Sequence, residues 1–143
     1  MGKGIVGSFV LCLIVATGTI AWAEGGSKGK SLYERLGGKG AITAVVDTFV
    51  GKVGADKRIN GYFASTDLGK LKTHLVNQIC EASEGPCQYT GRTMKQTHAG
   101  MGVTDAAFGA LVEDLVAALD HHKVAKAEKD ELLGVLGPMK KDI

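Results

Sequence analysis

Aromatic residues make up only 6% of the 143-residue chain, and its single tryptophan, Trp22, falls within the first 23 residues. Whatever core the rest of the chain builds is therefore mainly aliphatic, with little ring bulk to fill it. Proline occurs only at Pro86 and Pro138, which leaves long stretches free of helix breakers. Excess charge is also missing: 17 Lys and Arg against 15 Asp and Glu leave +2. That balance provides no clustered positive charge to meet a nucleic-acid backbone. No segment shows sustained strand alternation, and no internal repeat is present. With 45% apolar and 22% charged residues, the chain has the composition of one folded domain, which excludes a disordered tail or a fibre.

The first 23 residues differ from the remainder. After Lys3, the segment 5–21 is uncharged and leads into Ala21-Trp22-Ala23, a small-x-small site of the kind that processing enzymes cut. This pattern predicts a cleaved signal peptide at 1–23, a flexible lead at 24–31 and a single domain at 32–143. A membrane anchor is the competing reading, since a spanning helix takes about 20 apolar residues. Export predicts a location outside the reducing cytoplasm, in a bacterial periplasm. Cys12 falls in the leader, so Cys80 and Cys87 remain, spaced to close a short loop around Gly85-Pro86. A bridge there suits an oxidising compartment and would stabilise the fold by about 2.5 kcal/mol; two inert half-buried thiols are the alternative.

Helical periodicity organises the rest. Apolar residues at 41, 42, 45, 46, 49, 50 and 53 predict a helix over 41–53. A second is expected from a cap at Ser65, Thr66 or Asp67 to Ala82, with Leu68, Leu71, Leu75 and Ile79 along its lining. A loop follows over 83–91, then a short helix over 92–99 ended by Gly100 and Gly102. Thr104 caps a longer helix carrying Phe108, Leu111, Leu115 and Leu119, and a last helix spans 126–136 before Gly137-Pro138. The fold class expected is all-α. Seventeen of the 21 glycines lie after residue 23. So many glycines in a small helical domain suggest that something other than side chains fills part of the interior, and a flat apolar cofactor is one candidate.

Four histidines could carry chemistry. His121 and His122 read as solvated turn residues. His74 shares a helix side with Leu71, Leu75 and Gln78, and His98 follows Met94 by one turn, so both border apolar faces. A structural zinc wants four ligands, and only Glu81 or Glu84 could assist two histidines. Haem needs one or two axial ligands in an apolar enclosure, which asks less of this sequence. No Cys-x-x-Cys-His run marks thioether-attached haem, and histidines without any ligand remain open at this stage. No acid/base pair, Ser-His-Asp set or phosphate-cradling loop is recognisable.

The string from Tyr89 through Gly91-Arg92-Thr93-Met94 to His98 and Val103 resembles the stretch around the proximal histidine of group 1 truncated haemoglobins. Leu32-Tyr33-Glu34-Arg35-Leu36-Gly37-Gly38 resembles that family's opening, and the likeness continues through Phe49, Tyr62-Phe63, Gly85-Pro86 and the Phe108 helix to Pro138. The resemblance implies a truncated globin-like two-over-two helical sandwich around one non-covalent haem b. It implies His98 as the proximal iron ligand, Phe63 against the haem face, Phe49 on the distal side, Met94 and Val103 as proximal contacts, and Leu111 at an aliphatic position. Val50 stands where most members have a tyrosine that steadies bound oxygen, and Leu71 and Leu75 stand where glutamine often assists. His74 matches the position at which some cyanobacterial members supply a sixth iron ligand, and Gln78 is a weaker distal donor. Some of those relatives also attach haem through a late histidine; no histidine follows His122, so that link is not expected. Arg92 or Lys95 could meet a propionate, although solvated faces are their plainer role.

Three functions follow from the resemblance: reversible binding of oxygen, carbon monoxide or nitric oxide; electron transfer by a bis-histidyl haem with a redox partner; and nitric oxide dioxygenase or peroxidase turnover. Gas binding ranks first, by a monomer outside the membrane.

Overall fold

The computed structural model describes residues 29–143; the leader and most of the lead lie outside the described residues. Among the described residues there are six α-helices: α1 Leu32–Arg35, α2 Gly38–Ala55, α3 Leu68–Ala82, α4 Met94–His98, α5 Asp105–His121 and α6 Lys126–Leu136. Two 3-10 turns, Asn60–Phe63 and Gly137–Asp142, complete the order. No helix among the described residues is long and apolar enough to cross a membrane.

Four of these helices start on side-chain caps, which fix where each begins. Ser31 and Glu34 form a reciprocal capping box on α1, and Asp67 accepts from the Lys70 amide at the start of α3. Thr93 and Gln96 box α4, and Thr104 caps α5 through the Ala107 amide. The first helix thus begins at the Ser31 cap.

Helix α2 is the centre of the fold. Its buried residues Ile42, Val45, Val46, Phe49, Val50 and Val53 recur at helical spacing, and it packs on α3 along one side and α5 along another. Burial of this stripe offsets the weak helix preference of its valines. The helix starts three residues before the predicted 41–53 and ends two after it, because Gly38, Lys39 and Gly40 add no apolar signal. Helix α6 meets α1, and Leu132 joins Ile42, Ile79 and Leu119 in the interior. These long helices form the all-α, two-over-two sandwich that the resemblance implies. The core is tightly closed: the space among Leu36, Ile42, Val45, Ile79, Leu119 and Leu132 amounts to about 10 Å3, and its all-apolar side chains offer an ordered water no partner.

Some local expectations need correction. The short helix predicted over 92–99 is only Met94–His98, since Thr93 serves as cap and Ala99 leaves the helix at ψ 124°. His121 is the last residue of α5 rather than a turn residue. His122, its C-cap, is exposed, and its Nε2 lies 2.7 Å from the Thr48 hydroxyl.

Candidate functional site

A second apolar surface lies beside the closed core, on α3, α4 and the start of α5. Phe63, Leu71, Leu75 and Leu111 are only partly buried, although they pack against core residues. His74, Met94, His98 and Val103 are also half-buried. Phe49 and Val50, in contrast, sit in the core itself on α2, at 6% and 4% exposure. Val50 therefore presents no hydroxyl from that helix, and Leu71 and Leu75 carry no donor.

His98 is positioned by a very short helix. The capping box at Thr93 starts α4, and four residues later the His98 Nδ1 lies 2.8 Å from the Met94 carbonyl. A carbonyl only accepts, so this bond requires the N–H on Nδ1. The neutral ring then keeps its lone pair on Nε2, the form in which imidazole binds a metal, with the second nitrogen tethered to a backbone acceptor. The chain leaves His98 through Gly100 and Gly102, at φ +78° and +63°. Nothing crowds a Cβ at either position, so the left-handed backbone rather than lack of space calls for glycine there.

His74 on α3 is held differently. Its Nδ1 is one of two buried side-chain polar atoms among the described residues that have no hydrogen-bond partner, the other being Asp114 Oδ2. Its ring meets Tyr89 edge to face, with centroids 5.8 Å apart at 71°. An unpartnered buried nitrogen costs about 1–3 kcal/mol unless a further group meets it.

Gln78, expected as a weak distal donor, instead turns its amide toward two sulfurs, Met94 Sδ at 3.4 Å and Met139 Sδ at 3.3 Å. These residues border a groove of about 620 Å3 that also includes Tyr89, Thr93 and Val135. The Tyr62 hydroxyl donates to the Gly102 carbonyl at 3.4 Å. The C-terminal 3-10 turn folds onto α5: Lys140 pairs with Asp105 at 2.7 Å and sits 5.4 Å from the Phe108 ring centroid. That ion pair holds the Asp105 carboxyl below its ordinary range. Arg92 and Lys95 are exposed, whereas Lys70 and Lys72 pair with Asp67 and Asp47.

Cys80 and Cys87 form a disulfide, with Cα atoms 5.7 Å apart. It ties fully buried Cys80, near the end of α3, to the following loop. A Cβ on Gly85 would come within 2.5 Å of the Tyr33 ring and 2.7 Å of the Cys80 carbonyl and sulfur, so the loop closes only around glycine. The contacts made by Tyr89 and Met139 went unread in the sequence. Both arise in loop or 3-10 backbone, where no periodicity reports which residues meet.

The donor chemistry matches a haem better than a metal held by side chains alone. Among the described residues, no three of His, Cys, Asp and Glu gather as a metal site. What exists is one tautomer-fixed imidazole, a second imidazole with an unpartnered nitrogen, and a half-buried apolar wall: the requirements of a planar iron macrocycle. A helical sandwich that carries these groups on α3 and α4 is the arrangement of a globin.

Comparison with known proteins agrees. The bacterial-like globin family model matches residues 31–143. The group 1 truncated haemoglobin of Mycolicibacterium paratuberculosis is 37% identical over 113 residues, covering 79% of this chain and 83% of the relative. Among solved structures, the Fe(III) truncated haemoglobin of Tetrahymena pyriformis has a TM-score of 0.76 at 33% identity, covering 79% of this chain and 97% of that one. The 2/2 haemoglobin of a Synechococcus species, in the cyanomet state with covalently attached haem, has a TM-score of 0.74 at 36% identity over the same shares. The chain belongs to the group 1 truncated haemoglobins.

Proposed function

We infer that this protein is a b-type haem protein that binds oxygen or another diatomic gas, such as carbon monoxide or nitric oxide, rather than a dedicated enzyme. The observation that carries the reading is the His98 Nδ1 bond to the Met94 carbonyl at 2.8 Å, which leaves Nε2 free to bind iron. When bound, the haem would supply an iron able to take both a histidine nitrogen and a diatomic gas. His98 serves as the proximal ligand, and the carbonyl tether fixes its tautomer and strengthens it as a donor. Phe63, Leu71, Leu75, Met94, Val103 and Leu111 enclose the ring and keep water from it. That enclosure slows oxidation of ferrous iron.

The distal side lacks donors at Val50, Leu71 and Leu75, so a gas carrying partial negative charge finds no hydrogen bond from them. Faster release follows, and oxygen-dependent turnover is weakened. We propose His74 as a sixth iron ligand through Nε2, supported by its half-buried ring, whose Nδ1 is covered by the protein and held by no hydrogen bond. A gas then competes with the histidine, and apparent affinity falls by the fraction of open molecules. The same observation supports a second reading, electron transfer by a bis-histidyl haem with an unidentified redox partner.

Three finer points rest on other features. Non-covalent attachment is supported by the absence of histidine after His122. Export to the periplasm with cleavage after Ala23 is supported by the uncharged run over 5–21 and by the disulfide, which suits an oxidising compartment. A monomer is supported by the scarcity of exposed large apolar residues, which among the described residues are Leu68 and Val135. The test is an absorption spectrum of ferric and ferrous protein, with and without carbon monoxide, for wild type and His74→Ala. The expected result is carbon monoxide binding by both proteins and a shift from low to high spin in the variant. Ferrous protein that fails to bind carbon monoxide in either form overturns gas binding.

A further inference from the structure

The unexplained feature of the slot is how His74 is aimed. Its Nδ1 has no partner, so no hydrogen bond there orients the imidazole. Its ring contact is Tyr89, and Tyr89 is fixed at three points. The hydroxyl donates to the Arg92 carbonyl at 2.8 Å. One face of the ring lies so close to Gly91 that a Cβ there would come within 2.4 Å of the hydroxyl oxygen and 2.5 Å of Cζ. Two residues earlier, Cys87 is bridged to Cys80, which is fully buried on the same helix as His74. The bridge therefore fastens the loop that carries Tyr89 to the helix that carries its target.

We propose that Tyr89 is the positioning residue for His74, holding the imidazole toward the iron, with Gly91 and the Cys80–Cys87 bridge holding Tyr89 in turn. The proposal rests on His74 being the sixth ligand and adds what sets its occupancy. Edge-to-face contact restricts the imidazole without consuming a ring nitrogen, and with Nδ1 buried it leaves Nε2 for iron. Releasing the tyrosine enlarges the population in which the iron is open.

The test uses the haem-loaded full domain and cyanide as the probe for open ferric iron. Cyanide association and the low-spin spectrum are measured for wild type, Tyr89→Ala, Tyr89→Phe, Gly91→Ala and His74→Ala, and for Tyr89→Ala combined with His74→Ala. Tyr89→Ala should speed cyanide association by roughly tenfold, in proportion to the open fraction. Gly91→Ala, which drives a methyl group into the ring while leaving the tyrosine in place, should act in the same direction. Tyr89→Phe retains the ring and should stay within about twofold, and in the His74→Ala background the tyrosine change should add less than about twofold, as expected for a contact that acts through one partner. In the apoprotein, the His74 ring-proton resonances should shift in Tyr89→Ala. Wild-type cyanide rates in both Tyr89→Ala and Gly91→Ala, with His74→Ala altered, would overturn the positioning role and leave His74 on the iron. Equal acceleration by Tyr89→Ala with and without His74 would overturn it as well, since the effect would then be general loosening. An unchanged low-spin spectrum in His74→Ala would remove His74 from the iron, and this proposal with it.

Discussion

The core around α2 and the slot beside α3 draw on the same aliphatic residue types but are finished differently. In the core, Val46, Cys80, Ala118, Leu119 and Leu132 are at most 1% exposed, and the remaining space is about 10 Å3. In the slot, Leu71, Leu75, Met94 and Val103 stay half-buried, and of these Met94 also lines the groove of about 620 Å3 beside Gln78 and Met139. The core closes on its own side chains, whereas the slot presents an apolar wall and two imidazoles that are only half-buried. Stability and ligand chemistry are thereby separated in space: one region holds the helices together, and the other holds what they carry.

Substitutions in the two regions should part along that line. Leu119→Ala should lower stability by about 2–5 kcal/mol through the cavity it leaves, and the haem spectrum should keep its shape. Leu75→Ala, half-buried to begin with, should cost the apoprotein less in denaturant melts yet speed haem loss to an acceptor protein. Equal effects on both readouts would erase the distinction between the regions. Removing the bridge, by Cys80→Ala with Cys87→Ala, should lower stability by about 2.5 kcal/mol on the loop-closure argument, measured by chemical denaturation of the apoprotein.

The smallest effect belongs to an ionic cluster at the C-terminal end of α2. Arg58 grips Asp56 through Nε and Nη2 and reaches Glu113 at 2.7 Å, which lowers the Asp56 carboxyl below its ordinary range. Asp114, with Oδ2 buried and unpartnered, is pushed the other way, first by burial and then by the charge of Asp56. A depressed carboxyl stabilises above its unfolded pKa and loses that contribution as pH falls through the folded value. A raised carboxyl does the reverse, so ionising Asp114 weakens the fold as pH rises through its folded value. Asp114→Asn should therefore be more stable than wild type at pH 7, by under about 1 kcal/mol, with the gap closing toward pH 4 in thermal melts. A gap that widens on acidification would reverse the assignment.

Much of this architecture is readable from spacing alone. Asp67, Thr104 and the 126–136 helix announce themselves through caps and apolar period. Helix α1 escapes because four residues cannot show a period, although Ser31 and Glu34 carry the S-x-x-E signature of a capping box. Of the site, His98 and His74 emerge from the resemblance and not from composition, since an apolar-face histidine reads equally well as a core residue. The Tyr89 ring against His74 and the Met139 sulfur on Gln78 are through-space meetings of loop and 3-10 backbone. Neither leaves a trace in sequence periodicity.

The central claim is that His98 grips a haem in the apolar slot. Titrating haem into the apoprotein of wild type and His98→Ala, with the Soret band and far-ultraviolet dichroism recorded together, tests it most directly. The account predicts saturation at one haem per chain for wild type, and for the variant a native helical spectrum with weak uptake or a grossly altered band. A wild-type domain that is fully helical and takes up no haem, or a variant that binds it with an unchanged spectrum, would contradict it.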